Sequence, residues 1–99
     1  VSLSLIAKQQ PQAISKLYAL KNEVFKDGAL SAKEKELIAV SLALTMKCEI
    51  CLETHALAAK QLGATQDELR EAMLVTMYLA GPSAVIWSPV IDQILDGKI

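Results

Sequence analysis

From Pro11 onward the chain repeats apolar residues at helical spacing. Ile14, Leu17, Tyr18, Val24 and Phe25 fall on one face of a helix that Pro11 opens in its first turn. Gly28 follows in a position suited to a left-handed cap. A second helix starts at Ser31, where Ser31 and Glu34 form an S-x-x-E capping box. Its apolar positions, Leu37, Ile38, Val40, Leu42 and Leu44, run almost all the way round, the mark of a central, buried helix.

A further helix is expected to end at Gly63. Thr65 and Glu68 repeat the capping box, and the helix after them runs through Leu69, Ala72, Met73, Thr76 and Leu79 to Gly81. Gly81-Pro82-Ser83 reads as a turn with Ser83 as an N-cap, and Pro89 kinks or restarts the last helix. No stretch alternates with the period of two that a half-buried strand needs. The pattern predicts an all-α fold of about five to six helices in one domain, residues 1–99.

Between Ala39 and Ala59 the sequence holds neither glycine nor proline, so periodicity alone allows one rod from Ser31 to Leu62. In such a rod Glu36 and His55 would stand about 28 Å apart, at roughly 1.5 Å per residue. A reversal at Thr45-Met46-Lys47 would instead form an antiparallel pair with Glu36 opposite His55. Lys47 would then lie at a helix C-terminus and Glu49 in the next first turn, the signs that the helix dipole favours.

Composition narrows the function. The chain is 53% hydrophobic with a net charge of −1. That excludes disorder, which needs low hydrophobicity and high charge, and it provides no basic patch for nucleic acid. The longest apolar runs, LIAVSLAL (37–44) and AVIW (84–87), fall far short of the roughly 20 residues that span a bilayer. The amino-terminal residues lack a positive n-region, so neither a signal peptide nor a membrane segment is expected and a cytoplasmic location is. So much apolar material in a chain this short predicts burial between subunits, hence a homo-oligomer.

Chemistry concentrates in KCEICLETH (47–55), which contains both cysteines and the only histidine. Cys48, Cys51 and His55 are spaced i, i+3 and i+7, on one helical face. In a first helical turn that spacing brings two Cα atoms within the roughly 4.4–6.8 Å a disulfide tolerates. The positive end of a helix stabilises a thiolate, an imidazole accepts its proton, and a carboxylate such as Glu36 orients that imidazole. Structural zinc would want four ligands, and Glu36 makes a poor fourth beside two Cys and one His. Leu52 stands where covalent haem attachment needs histidine, and the βαβ context of a thioredoxin motif is missing. Neither a metal nor a flavin, haem or nicotinamide cofactor is expected. Tyr78, Ser83 and Trp87 could line a pocket, but aromatic residues at helical spacing are more often core.

Glu36, eleven residues, Cys48-x-x-Cys51, three residues and His55 together resemble the alkylhydroperoxidase D-like group of the carboxymuconolactone decarboxylase family. The resemblance extends over about residues 30–95, including the LGAT and AGP turns. It implies an all-helical fold with the cysteine pair at the start of a central helix, assembled as trimers or hexamers. It also implies thiol peroxidase or disulfide reductase activity, with Cys51 attacking a hydroperoxide, Cys48 resolving it, and His55 and Glu36 as the proton relay. The oxidised pair would be reduced by a dithiol protein. The best-known peroxidase members are about twice this length and have a further histidine between the cysteines, where Ile50 stands here. The alternatives are a decarboxylase-like lyase using His55 as base on a small organic acid, and a non-enzymatic redox-sensing oligomer.

Overall fold

In the computed structural model, which describes residues 3–99, six α-helices and one short 3-10 turn make up the regular structure, with no strand among the described residues. In chain order they are α1 (Ser4–Gln9), α2 (Pro11–Val24), α3 (Ala32–Met46), α4 (Glu49–Gln61), α5 (Gln66–Ala80), the 3-10 turn Pro82–Ala84, and α6 (Pro89–Leu95).

Local chemistry sets most of these boundaries. Both capping boxes form: the Ser31 hydroxyl accepts the Glu34 N–H and the Thr65 hydroxyl accepts that of Glu68, with each glutamate reaching back to its cap. The two boxes are also tied together, because Lys33 pairs with Glu68 at 2.9 Å. The cap bonds hold the carboxyls of Glu34 and Glu68 below the ordinary glutamate range. The Ser31 backbone N–H is the main cause for Glu34, and the Thr65 backbone N–H, then Lys33, for Glu68.

The core is built by α3, α4, α5 and α6. Val40 and Leu44 meet Leu52, Ala56 and Ala59, with Leu69, Met73, Ile91 and Ile94 closing around them. Leu44, Leu52 and Leu69 are fully buried, each worth roughly 1.5–3 kcal/mol relative to exposure. The alanines of α4 leave room for its antiparallel neighbour α3.

By contrast, α1 and α2 pack on each other and bury no residue at all. The radius of gyration, 14.4 Å, therefore exceeds the roughly 13 Å expected for a compact chain of about 100 residues.

Four expectations need correction. The helix α2 stops at Val24, before Gly28, and Gly28 does not adopt a left-handed conformation. The α3 helix is central but not buried all round, since Ile38 and Leu42 face outward. Leu79 is exposed as well; Leu69, Met73 and Thr76 are the inward face of α5. Ser83 lies inside the 3-10 turn and caps nothing, whereas the buried Ser88 accepts the Val90 N–H and starts α6 with Pro89 in its first turn. The helix α1 went unforeseen, because six residues carry too little periodicity to register.

Candidate functional site

The reversal between α3 and α4 falls at Lys47, the only non-glycine residue with a positive φ among those described (φ 56°, ψ 41°). The Cys48 N–H bonds to the Ala43 carbonyl at 3.1 Å and the Lys47 N–H to that of Leu44 at 3.2 Å. This is the paired arrangement that closes a helix around one left-handed residue. The Trp87 indole N–H adds a bond to the Leu44 carbonyl at 3.1 Å and one to Ala84 at 2.7 Å. Opposite, Ser88 donates its hydroxyl to Glu49 in the first turn of α4 at 2.7 Å. The start of α4 is thus held from two sides.

Cys48 is the N-cap of α4, and its Sγ accepts the Cys51 N–H at 3.3 Å. The two cysteines are joined as a disulfide, with their Cα atoms 5.2 Å apart. One turn on from Cys51, the Nδ1 of His55 lies 2.6 Å from Oε2 of Glu36. Glu36 is only 5% exposed, so the hairpin turn delivers a buried carboxylate to a half-buried imidazole. The far face of that imidazole is covered by Phe25, whose ring stacks on it at 5.4 Å between centroids and 20° between planes. His55 is therefore held by a hydrogen bond at one nitrogen and by a ring against its face.

All four residues named from the sequence, Glu36, Cys48, Cys51 and His55, come together here. Phe25 was read only as one residue of an apolar helix face. Its place against His55 depends on how the segment after α2 folds back, which spacing does not encode. Of the aromatic candidates, Tyr78 is 87% exposed, and Trp87 serves the turn while lining a smaller cavity of about 340 Å³.

Above the disulfide and the imidazole lies an open cavity of about 630 Å³. Its floor is one side of α4, with Ile50, Cys51, Thr54 and His55, and its wall comes from Leu3, Ile6 and Tyr18 of the amino-terminal hairpin. It is Cys51, rather than Cys48, that lines this space. Among the described residues no group of three or more candidate ligands is arranged to hold a metal ion, and no helix is long and apolar enough to cross a membrane.

Glu36, the Cys48–Cys51 pair and His55 are the residues on which the resemblance rested, and comparison with known proteins shows the family. The family model for the carboxymuconolactone decarboxylase family matches residues 11–88. An uncharacterised protein of the cox locus of Paracoccus denitrificans is 39% identical over 66 residues, which is 67% of this chain and 60% of that protein. The chain thus spans less than two thirds of that relative. An uncharacterised protein of Cupriavidus necator is 30% identical over 84% of this chain and 74% of its own. Among solved structures, a carboxymuconolactone decarboxylase family protein of Legionella pneumophila superposes with a TM-score of 0.83. It is 31% identical, and the match covers 95% of this chain and 81% of that one. A family protein of Thermotoga maritima, suggested to take part in an antioxidative response, shares the fold with a TM-score of 0.75. It is 22% identical, over 87% of this chain and 89% of that one. With the family model matching most of its length, the chain belongs to the carboxymuconolactone decarboxylase family.

Proposed function

We propose that the protein is a thiol-dependent peroxidase or disulfide reductase that works through the Cys48–Cys51 pair. The observation that carries this reading is the joint placement of Cys51 and His55 in the floor of one cavity, with Glu36 buried behind the imidazole. In the reduced protein the Cys51 thiol passes its proton to His55, which Glu36 orients. The thiolate attacks the terminal oxygen of a hydroperoxide, the O–O bond breaks, and the alcohol leaves with a proton from the relay. Cys51 is now a sulfenic acid.

Cys48 then attacks the Cys51 sulfur, and water leaves as the disulfide forms. The N-cap position suits Cys48 to this step, because the Cys51 N–H and the helix end stabilise its thiolate. The same stabilisation makes Cys48 the better leaving group in the return step. A partner dithiol attacks Cys51 from the cavity and expels Cys48. Its second thiol then releases Cys51, leaving the partner oxidised. One hydroperoxide and one dithiol are consumed per cycle, and no bound cofactor is needed. An antioxidative role fits the family and the cysteine pair. The cytoplasmic setting and a trimeric or hexameric assembly belong to the same proposal.

Peroxide consumption with a panel of dithiol reductants tests the reading. Turnover is expected in the native protein and should vanish in Cys51→Ser. Without a reductant, Cys48→Ser should consume one peroxide and stop with Cys51 as the sulfenic acid. Peroxide turnover that survives both serine variants would sink the proposal; no peroxide turnover in the native protein, with an inert disulfide, would leave a His55-based lyase. A disulfide that opens and closes without any turnover would leave redox sensing.

A further inference from the structure

Two contacts hold the imidazole of His55, and only one of them is polar. Nδ1 is engaged by Glu36, which leaves Nε2 to accept the thiol proton. One hydrogen bond at one nitrogen fixes a point of the imidazole but not its tilt, so the second contact decides where Nε2 lies. That contact is Phe25. Its ring is 20° from parallel to the imidazole, with the centroids 5.4 Å apart, and the side chain of His55 is only 20% exposed. Core packing does not account for the ring, because Phe25 belongs neither to the buried core nor to the side chains packed against it. It caps the C-terminus of α2, and the segment after it is tied to α3. The Lys35 ammonium donates to the Lys26 carbonyl at 2.6 Å, and the Ala32 N–H to the Asp27 carboxylate at 2.7 Å. Lys35 directly precedes Glu36, so the helix that delivers the acid also anchors the segment that delivers the ring.

On the relay reading, on which this inference rests, we infer that Phe25 is a positioning residue for proton transfer from Cys51 to His55. The stack holds the tilt of the imidazole, so that Nε2 stays available to the thiol one turn away. The transfer leaves a thiolate on Cys51 and a positive charge on His55. A cation within roughly 6 Å of an aromatic centroid is drawn to the face of the ring, and the separation here lies inside that limit. Phe25 therefore favours the charged pair over the neutral one. It exchanges no proton and acts only through His55. Removing the ring should slow alkylation of Cys51 at pH 7 about two- to fivefold, the ratio that such contacts give at partly exposed sites.

The test compares Phe25→Leu, which keeps apolar bulk and removes the aromatic face, with Phe25→Tyr, which keeps both. Iodoacetamide rates at Cys51 are measured in a Cys48→Ser background, once with His55 present and once with His55→Ala. Circular dichroism checks that each variant is folded. With His55 present, Phe25→Leu should be about two- to fivefold slower and Phe25→Tyr should match the parent. With His55→Ala neither substitution should change the rate, because the ring then has nothing to act through. His55 is the only histidine, so its ring protons are resolved by NMR in the native protein. The Phe25 ring current should hold them upfield, and Phe25→Leu should release them while Phe25→Tyr does not. An unchanged rate in Phe25→Leu overturns the inference while leaving the relay intact. Equal slowing with and without His55 overturns it too, since the ring would then only shield the site. So does a tyrosine variant as slow as the leucine one, or a native protein whose histidine protons show no upfield shift. Those last two readouts need no His55 variant, and they decide the matter even if that variant unfolds. If His55→Ala alone leaves the alkylation rate unchanged, the relay reading itself fails and this one goes with it.

Discussion

Replacing His55 by alanine is the sharpest probe of the proposed relay, and the titration of a free thiol bounds its effect. The free thiol titrates near pH 8.5, so at pH 7 only about 3% is thiolate. Losing the imidazole can therefore slow alkylation of Cys51 by at most about 30-fold at neutral pH. The helix start remains in the variant and continues to favour the thiolate, which makes the deficit smaller than that limit. Peroxide turnover should lose more, about 10²-fold or beyond, because the imidazole also returns a proton to the leaving alcohol.

Glu36→Gln should act in the same direction and more weakly. Its contact with His55 at 2.6 Å is short, as bonds to charged groups are, a class worth about 1.5–3 kcal/mol. A neutral amide keeps about 0.5–1.5 kcal/mol of that, so roughly 1–1.5 kcal/mol is lost. At 1.4 kcal/mol per tenfold, the effect on the imidazole is about five- to tenfold, only part of which reaches the rate.

Iodoacetamide rates against pH, in a Cys48→Ser background so that Cys51 alone reports, measure both variants. The deficit of His55→Ala should close as pH rises past about 8.5, where the thiol ionises without help. Melting curves are needed alongside, since removing one partner of a buried pair costs about 3–5 kcal/mol, less here because the imidazole is partly exposed. Three superimposable pH profiles would refute the relay.

Three further outcomes follow from the packing and the caps. Leu52→Ala, at a fully buried position, should cost about 2–5 kcal/mol in urea or thermal unfolding, and a loss under 1 kcal/mol would mean that α4 is not seated in the core. Ser31→Ala and Thr65→Ala should each cost about 1 kcal/mol at neutral pH. That gap should change little with pH, because the lost hydroxyl accepts a backbone N–H. The pH-dependent part lies in the carboxylates, which the Ser31 and Thr65 backbone N–H groups hold below their unfolded titration, so it is present above the unfolded value and is lost as pH falls through the folded one. Glu34→Gln and Glu68→Gln should accordingly converge with the native protein in acid, and a gap that stays constant to low pH contradicts the capping account. Light scattering at micromolar concentration should give a mass well above the 10.7 kDa of one chain, and a clean monomer would show that the exposed apolar faces of α2 and α5 are not interfaces.

Much of this was legible in the sequence because it is written in short-range chemistry. Two capping boxes and a proline fixed where α3, α5 and α2 begin, since a cap needs only residues three apart. The face shared by Cys48, Cys51 and His55 followed from helical geometry once α4 was placed. Glu36 was the harder case. Its approach to His55 requires the chain to reverse at Lys47, and lysine is not a residue that announces a left-handed conformation. What marked the turn was indirect: a lysine and a glutamate with the signs that two facing helix ends favour. Tertiary bonds then hold it, from Trp87 and Ser88 some forty residues away, as no local signal could reveal.

The misreadings share one cause. Gly28, Ser83 and Leu79 were judged by residue type and spacing, whereas burial and competing caps decide. Ser83 and Ser88 are both plausible caps ahead of a helix, but Pro89 excludes a helical residue directly before it and so favours Ser88, next to it. Leu79 falls at the edge of the period of α5 and is exposed, because Leu69, Met73 and Thr76 carry its inward face. The same limit hid Phe25. Its spacing puts it on the face of α2 with Tyr18, but the helix ends one residue earlier and the ring turns onto His55 instead. Two residues that looked like one stripe are thus divided between two tasks, Phe25 against the imidazole and Tyr18 at the cavity wall. The amino-terminal hairpin, which adds nothing to the core, touches the candidate site at both places.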